Sequence, residues 1–419
     1  MKKIFFIILS IANSYLNAQN IDIQLCYQKA AKNFPLIKQK EMVNNVGELK
    51  IKNLNSNYLP QINLNAQATY QSDVTKMSLN IPGIKIPENS KDQYKATLDI
   101  NQLIWDGGSI SGQRKVENIN IQSDQQNLET EIYKLKERVN QLYFNILMLK
   151  GNNELLEISK KDISLKLQKI ESGVKNGVIN ESNSDNLKAE IIKIDQKIIE
   201  IKSVEKANIE MLNELTGMEI SDNSVFTSPE IAVNSTIFEN IRPELKSFEI
   251  NKNKLSATQN VLSSKLMPKI YGFGQLGYGR PGLNMLSNDF QSFYIVGAKL
   301  SWNIWNWNQT KTDKKILDIQ KDIISNNKEV YQKNMKMSYQ RDIAEIDKFT
   351  ELILKDLEII NLKTKIAKNS SSQFDNGYIT SNDYLNDVNA ETMAKINYEI
   401  HKIQLVKAKF DYMVNLGKL

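Results

Sequence analysis

The sequence predicts an α+β membrane protein that contains two copies of one unit, each with long coiled-coil helices and a pair of β-strands. Three observations lead to this prediction: two long stretches without proline, a second half that echoes the first, and four segments in which polar and apolar residues alternate. The mean hydropathy of −0.42 indicates that most of the 419 residues are compatible with water. No segment after the N-terminus offers about 18 uncharged apolar residues, so the strands are the candidates for membrane contact.

The N-terminus predicts a secretory signal peptide over residues 1–18. Lys2 and Lys3 precede an apolar run, and a polar stretch then ends at Ala18-Gln19, where cleavage is expected. The alternative is a buried first helix. An exported chain without a membrane helix is periplasmic, secreted or a β-barrel.

Long helices are predicted from the absence of proline in residues 88–228 and 282–419. Proline inside a helix costs roughly 3 kcal/mol. An apolar seam runs through the first tract, with steps of four and three and then of seven: Leu128, Ile132, Leu135, Val139, Leu142, Ile146, Leu149, Leu156, Ile163 and Ile170. It predicts a coiled-coil helix over about 109–175, roughly 100 Å long. Helices predicted at about 24–57 and 183–216 have together nearly the same length, so they could flank it end to end.

The two halves match at an offset of about 200 residues, which indicates a duplication of one large unit. Leu59-Pro60 corresponds to Met267-Pro268, and Asn176-Gly177 corresponds to Asn376-Gly377. Each repeat is predicted to run helix, strand, loop, strand, long helix, turn, helix. The predicted boundaries are 19–217 for the first repeat, 218–242 for a linker and 243–419 for the second repeat. The strands are predicted at about 59–74, 92–104, 266–280 and 291–304. The tip turns are predicted at about 173–183 and 374–383.

The four strand segments have one apolar and one polar face. In the first, Ile62 and Leu64 alternate with Asn63 and Asn65. Segments of about ten residues with this alternation fit transmembrane strands, and the alternative is a half-buried soluble sheet. Because four strands cannot close a barrel and lipid tolerates no open edge, the membrane interpretation requires an oligomer, which the pattern alone leaves open between two and three protomers.

Aromatic residues near the strand ends favour the membrane interpretation, because such residues form girdles at both interfaces of membrane barrels. The predicted interfacial aromatics are Tyr70, Tyr94, Trp105, Tyr271, Tyr278, Trp302, Trp305 and Trp307.

Several classes of function are disfavoured by composition. Cys26 and His401 are the single cysteine and the single histidine, so a zinc site or a nucleophile–histidine pair is not expected. Neither paired acids in a loop nor a phosphate-binding glycine loop is found, and no cofactor or metal is predicted. The formal net charge of +6 comes from lysines scattered among acidic residues, which indicates a solvated surface and not a nucleic-acid interface.

Taken together, these residues resemble the outer-membrane efflux protein family that includes TolC. The resemblance rests on the helix opening around Leu25 and Pro35, the Arg242-Pro243-Glu244-Leu245 opening of the second repeat, the Leu-Pro and Met-Pro strand starts, and the Asn-Gly turns. It implies a trimer with a shared twelve-stranded barrel in the outer membrane and a large periplasmic α-helical tunnel. It also implies docking at the tunnel tip to a periplasmic adaptor and an inner-membrane pump, in efflux or in type I secretion.

The resemblance further implies a periplasmic gate near the tip turns. Counted from Gly377, Asp383 falls at the family's first acidic ring and Asn386 at the second, where the charge is missing. Phe374 falls at a gate tyrosine, Ile379 at a gate arginine and, counted from Gly177, Asn183 at a gate aspartate. The alternative for Asp383 is a purely local role at the start of a helix, where Asp is favoured.

Two other classes of protein remain as alternatives to a passive conduit. A periplasmic coiled-coil adaptor or scaffold would have one helical hairpin and compact β-domains, which two matched strand pairs do not suggest. A secreted enzyme is disfavoured because the carboxylates lie at solvated heptad positions. The sequence does not name the cargo, the pump or the adaptor.

Overall fold

The computed structural model describes residues 20–75, 90–233 and 239–419. The predicted signal peptide, residues 76–89 between two strands and residues 234–238 of the predicted linker lie outside the described residues. The helices are α1 Ile23–Asn33, α2 Leu36–Ser56, α3 Ser109–Tyr133, α4 Leu135–Lys175, α5 Glu181–Thr216, α6 Pro243–Ser264, α7 Gln309–Asp375 and α8 Ser381–Leu416. The strands are β1 Asn20–Ile21, β2 Gln61–Tyr70, β3 Asp92–Trp105, β4 Val225–Phe226, β5 Lys269–Arg280 and β6 Gln291–Ser301.

The chain divides into two compact units. The helical unit comprises residues up to Ile37, Glu129–Pro243 and Tyr331–Leu419, and the sheet unit comprises Lys38–Leu128 and Glu244–Val330. None of the helices in the described part of the chain is both long and apolar enough to cross a membrane.

In the helical unit, α4 packs against α5 and α8, and α1 packs against α4 and α5. One core forms where Phe144 of α4 meets Phe410 of α8, with ring centroids 5.5 Å apart. The Tyr143 hydroxyl lies beside it, 2.8 Å from the Ile21 carbonyl oxygen and 2.7 Å from that of Thr227. This hydroxyl therefore ties the short parallel β1–β4 pair to α4.

A second core follows the predicted seven-residue seam. Leu156, Ile163 and Ile170 are all buried, and they pack with buried apolar residues of α5 and α8. The seam prediction is therefore confirmed along this part of α4, since residues seven apart return to one face of a coiled-coil helix.

Two predicted helices are interrupted. The helix predicted at about 24–57 is divided into α1 and α2, because Pro35 has no backbone N–H and Phe34, which precedes it, is extended with ψ 131°. The helix predicted at about 109–175 is divided at Lys134, whose carbonyl accepts the Glu137 N–H at 3.2 Å in a tighter i→i+3 bond. Lys134 keeps helical angles, φ −62° and ψ −19°, so the second interruption is local.

The two halves repeat each other at a constant offset in the helical unit. Helices α5 and α8 each have 36 residues, and their first and last residues are 200 positions apart. The left-handed glycines Gly177 and Gly377 follow α4 and α7, and Gly217 and Gly417 follow α5 and α8. The same turn chemistry therefore recurs in both halves.

The sheet unit carries one antiparallel four-stranded sheet in the order β2-β3-β5-β6. Glycines lie directly opposite aromatic residues between its last two strands: Phe273 faces Gly297, and Phe293 faces Gly277. A Cβ at either glycine would overlap the opposite ring, so the glycines provide the space that the rings occupy. In the same unit, Ile121 of α3 fills the space left by Gly47 of α2.

Candidate functional site

The turn between α7 and α8 ends one helix and begins the next through a defined set of hydrogen bonds. Gly377 has φ 74°, its N–H donates to the Phe374 carbonyl at 3.1 Å, and the Tyr378 N–H donates to the Gln373 carbonyl at 2.9 Å. This pattern satisfies the last carbonyls of α7 and needs a residue that adopts positive φ. The turn after α4 repeats it through Gly177.

Asp383 takes part in a capping box at the start of α8. Its N–H donates to the Thr380 hydroxyl oxygen at 3.2 Å, while its carboxylate accepts the Thr380 N–H at 3.1 Å and the Thr380 hydroxyl at 2.7 Å. Hydrogen bonds from Thr380 hold the pKa of the Asp383 carboxyl below its usual range. The local role that was the alternative for Asp383 is thus present in the fold.

The two tip turns meet in one cavity of about 640 Å³. Four of the five predicted gate residues line it: Asn183, Phe374, Ile379 and Asp383. The Asn183 side-chain oxygen accepts the Ser381 N–H at 3.2 Å, so the first turn of α5 is joined to the first turn of α8. Asn386 is not among the lining residues and is exposed one helical turn beyond Asp383.

Phe374 and Ile379 are parts of the helix packing and not free side chains. The Phe374 ring is buried and stacked on Tyr384, with centroids 5.2 Å apart and an interplanar angle of 10°. Ile379 is half-buried against the same core. Neither side chain carries the hydrogen-bonding groups that the family resemblance places at these positions, so their contacts at the tip turns are apolar.

Lys166 of α4 is a charged residue that contacts the tip turn after α7 and that neither the apolar seam nor the family resemblance predicted. Its Nζ lies 2.7 Å from Asp375 Oδ1, and it donates to the Ser371 carbonyl at 3.1 Å and to the Ser371 hydroxyl at 2.8 Å. The same Nζ lies over the rings of Phe374 and Tyr384, 5.7 Å and 5.1 Å from their centroids. Ion pairing, hydrogen bonding and cation–π contact thus compensate the burial of this ammonium group.

The seam pattern contained a signal for Lys166. A coiled-coil helix needs two core positions per heptad, and beyond Leu149 the apolar seam supplies only one, at Leu156, Ile163 and Ile170. Ser159 and Lys166 stand at the other position, and both are buried. A lysine at a heptad core position indicates a specific partner, although α4 alone does not identify it.

The odd-numbered positions of β3 place polar side chains on one face of the sheet. The Asp99 carboxylate accepts hydrogen bonds from Asn65 at 2.6 Å, from Thr97 at 3.1 Å and from Gln275 at 2.5 Å. A cavity of about 500 Å³ over this face is lined by Asn63, Asn65, Asp99, Asn101, Phe273, Gly274, Gln275 and Ile295.

The opposite face of the sheet is apolar and exposed. Leu64 of β2 is 78% exposed and Val296 of β6 is 77% exposed. A bulge between Leu103 and Trp105 pairs Trp105 with Ile270 and so places it on this face. Large apolar side chains on a sheet face that the described part of the chain leaves exposed indicate contact with another apolar phase or surface.

The predicted interfacial aromatics divide between the two ends of the sheet. Tyr70, Tyr94 and Tyr278 lie at the end joined by the strand-to-strand connections, where Tyr94 and Tyr278 both stack on Phe290. Trp105 and the other tryptophans lie at the helix end; Trp302 donates to the Leu266 carbonyl at 2.9 Å, and Trp305 packs edge-on against Trp307. Tyr271 differs from these because it is paired with Lys299 on the polar face.

Residues 26–217 match the family described as outer membrane efflux protein. The resemblance to the outer membrane efflux proteins is confirmed. This match covers most of the predicted first repeat. No curated protein matches the sequence.

Several solved outer membrane proteins have the same fold at low sequence identity. The Campylobacter jejuni CmeC outer membrane channel is 14% identical, with a TM-score of 0.67 over 94% of this chain and 85% of that one. The outer membrane protein VceC from Vibrio cholerae is 11% identical, with a TM-score of 0.67 over 94% and 96%. The Neisseria gonorrhoeae MtrE outer membrane channel is 13% identical, with a TM-score of 0.66 over 94% and 88%.

His401 and Cys26, the single histidine and the single cysteine, lie in different contacts of the helical unit. Among the described residues, no group of three or more His, Cys, Asp or Glu side chains could hold a metal ion. His401 Nδ1 lies 2.6 Å from Asp356 Oδ2, and Cys26 is buried in the core around Tyr143. The two residues thus occupy separate helix contacts.

Proposed function

We propose that the chain is one protomer of a trimeric outer-membrane channel that conducts cargo passively from an inner-membrane pump to the exterior. Three copies of the sheet would close one twelve-stranded barrel, with the apolar face toward lipid and the polar face toward the lumen. The helices would form a periplasmic tunnel whose tip docks to a periplasmic adaptor. Tripartite efflux and type I secretion are the two systems that use such a conduit.

The observation that carries this proposal is the combination of the apolar sheet face with two sheet edges, β2 and β6, that have no partner strand among the described residues. Leu64 lies on β2 and Val296 on β6, so the exposed face continues across the sheet to both edge strands. In water, such a surface and such edges would lead to aggregation, and in lipid the open edges would leave backbone groups unsatisfied. Pairing β2 of one copy with β6 of the next removes both edges.

Exposed apolar residues on the helices favour further contacts with other copies. Met42 and Leu49 of α2 are exposed, as are Ile319 and Ile323 of α7. These pairs recur at seven and four residues, the spacing of a helix face that packs on another helix. A shared helical tunnel would cover them.

The tip turns are proposed as the gate. Asp383 would place three carboxylates around the pore, while Asn386 would contribute no charge to a second ring. Asn183, Phe374 and Ile379 would hold the two turns of one protomer together by one hydrogen bond and by apolar packing. The Lys166–Asp375 ion pair would add a charged contact to this closed arrangement.

The test is the native mass of the protein extracted from outer membranes in a mild detergent, followed by conductance in planar bilayers. A mass near three protomers together with single-channel currents supports the proposal. A monomer that stays stable in detergent would leave four strands with open edges and would favour the alternative function, a periplasmic adaptor or scaffold. A high-salt wash of membranes separates the two further, because a scaffold without a barrel is released.

A further inference from the structure

We infer that the lysines on the polar sheet face give the barrel a preference for negatively charged solutes, with Lys299 and Lys269 as the residues that set it. This inference rests on the proposed channel function and adds the charge class of the cargo. The described strands carry Lys95, Lys269 and Lys299 at odd-numbered positions, which the strand register places on the same face as Asp99.

Lys269 and Lys299 are close to each other at the helix end of the sheet. Lys269 pairs with Ser301 and Tyr271 pairs with Lys299, so the two lysines are diagonal neighbours on β5 and β6. Diagonal neighbours on one face have Cβ atoms about 7 Å apart. Like charges at this separation repel each other unless water and counter-anions surround them. The two lysine positions therefore favour a water-filled lumen that attracts anions.

Asp99 does not neutralise this pair of lysines. Asp99 pairs with Gln275, which is four residues along β5 from Tyr271, the partner of Lys299. At about 3.4 Å per residue the separation along the strand is about 14 Å, beyond the Debye length of about 8 Å in physiological salt. The Asp99 carboxylate is also occupied by three neutral hydrogen-bond donors.

A second acidic residue, Asp106, lines a cavity of about 420 Å³ together with Lys269. Asp106 is 3% exposed, and its carboxylate accepts hydrogen bonds from the Gly108 N–H at 3.0 Å, the Ile110 N–H at 2.5 Å and the Tyr58 hydroxyl at 3.0 Å. This carboxylate therefore stabilises the start of α3 and is turned away from solvent. Lys299 is exposed and is the principal residue of the proposal.

The lysine pair also has a fixed place on the path of a solute. It lies where the strands join the helices, so in the proposed trimer six ammonium groups would surround the passage between tunnel and barrel. A ring of like charges at a constriction or mouth concentrates counter-ions and lowers the passage of co-ions. Solutes with net negative charge would therefore be favoured at this level.

The experiment is the reversal potential of the reconstituted full-length protein under a KCl gradient, for the wild type and for K269Q/K299Q. Removing the two charges is expected to lower the chloride-to-potassium permeability ratio by at least about twofold. K299R is the matched control, since it keeps the charge and should leave the ratio unchanged. An unshifted reversal potential in K269Q/K299Q overturns the inference, whatever the preference of the wild type.

The Asp383→Ala variant, which lacks the carboxylates proposed at the tip, supplies a second measurement should the double variant give no channels. In this variant, inorganic pyrophosphate added to the bath is expected to reduce the current more than hexaamminecobalt(III) at the same concentration, because the lysine ring attracts the polyanion. An equal or smaller effect of pyrophosphate overturns the inference. A wild-type trimer that gives no conductance at all contradicts the proposed function itself, whereas conductance without these charge effects contradicts only the inference.

Discussion

The Lys166 ammonium nitrogen lies 2.7 Å from Asp375 Oδ1 and thereby joins the C-terminal part of α4 to the last residue of α7. The two partners differ in exposure, because the Lys166 side chain is 6% exposed and the Asp375 side chain is 44% exposed. Removing one partner therefore has a different consequence from removing the other.

We expect Asp375→Asn to destabilise the protein by about 1–2 kcal/mol, because it leaves a buried ammonium group without its carboxylate. Lys166→Met should change stability by less than about 1 kcal/mol, since an apolar side chain fills the site and Asp375 can be hydrated. Chemical unfolding of the trimer in detergent measures both. Lys160→Met is the matched control at the more exposed Lys160–Asp195 pair, where we expect a smaller change in stability because exposed ion pairs contribute little. Equal losses for the first two variants would contradict the prediction.

Gly377→Ala should destabilise the tip turn by about 1–2 kcal/mol, because φ 74° lies in the left-handed region that an alanine Cβ disfavours. No atom lies within 4 Å of the added methyl group, so the cost comes from the backbone alone. Gly151→Ala is the control with equally open space inside α4, where alanine should stabilise the helix by about 1 kcal/mol. Thermal unfolding followed by circular dichroism measures the midpoint temperature of each variant, which should fall for Gly377→Ala and rise for Gly151→Ala. Two midpoints that shift in the same direction would contradict this prediction.

The capping box predicts a pH dependence at the start of α8. Hydrogen bonds from Thr380 lower the pKa of Asp383 in the folded protein, so its contribution is present above the unfolded pKa and is lost as pH falls through the folded value. Protection of the Tyr384 amide against hydrogen exchange should therefore decrease below about pH 4 in the wild type, after correction for intrinsic rates.

Asp383→Ala should lose that protection at neutral pH, while Asp185→Ala, at an exposed carboxylate in α5, should not affect it. The same Asp383 variant tests the proposed gate, because three carboxylates in a pore would bind multivalent cations. If block by these cations is unchanged in Asp383→Ala, only the capping role remains.

Cys26 should be chemically inert in the folded protein. Burial, with a smaller effect of Asp22, raises the pKa of the thiol to about 12, so almost none of it is thiolate at pH 8. We expect no maleimide labelling under native conditions and complete labelling in denaturant. Ser182→Cys, at an exposed position in the first turn of α5, is the positive control. Native labelling of Cys26 at a comparable rate would show that the core around Tyr143 opens readily.

Local sequence patterns predicted the elements of this fold because their causes are local. The seven-residue recurrence of Leu156, Ile163 and Ile170 predicted a buried helix face, and alternation around Leu64 and Asn65 predicted a strand with two different faces. Asn-Gly at 176–177 and 376–377 predicted turns, since few residues other than glycine adopt positive φ readily. Two helix interruptions were not predicted, one at Pro35 and one at Lys134. The interruption at Lys134 is a single tighter hydrogen bond, and the residue types around it do not indicate it.

The candidate site was only partly predictable, as Phe374 and Lys166 illustrate. Alignment to a family pattern marked Phe374 as a gate position, but its stacking on Tyr384 depends on how α7 and α8 pack. Lys166 was not distinguished from the exposed lysines by the sequence pattern, although it lies at a heptad core position. Its partners Ser371 and Asp375 are about 200 residues away in sequence, and a pattern within one helix carries no information about them.

By itself, the sequence determined the periodicity of each element, the duplication and the polar and apolar faces of the strands, because these depend on the spacing of neighbouring residues. Only the tertiary structure decided which charges are compensated. Asp383 bonds to its own turn, Lys166 is enclosed by the other repeat, and Lys269 and Lys299 become neighbours through the β5–β6 register. The electrostatic energy of a charged group depends on the groups around it in space, and those groups belong to residues that are far apart in the chain.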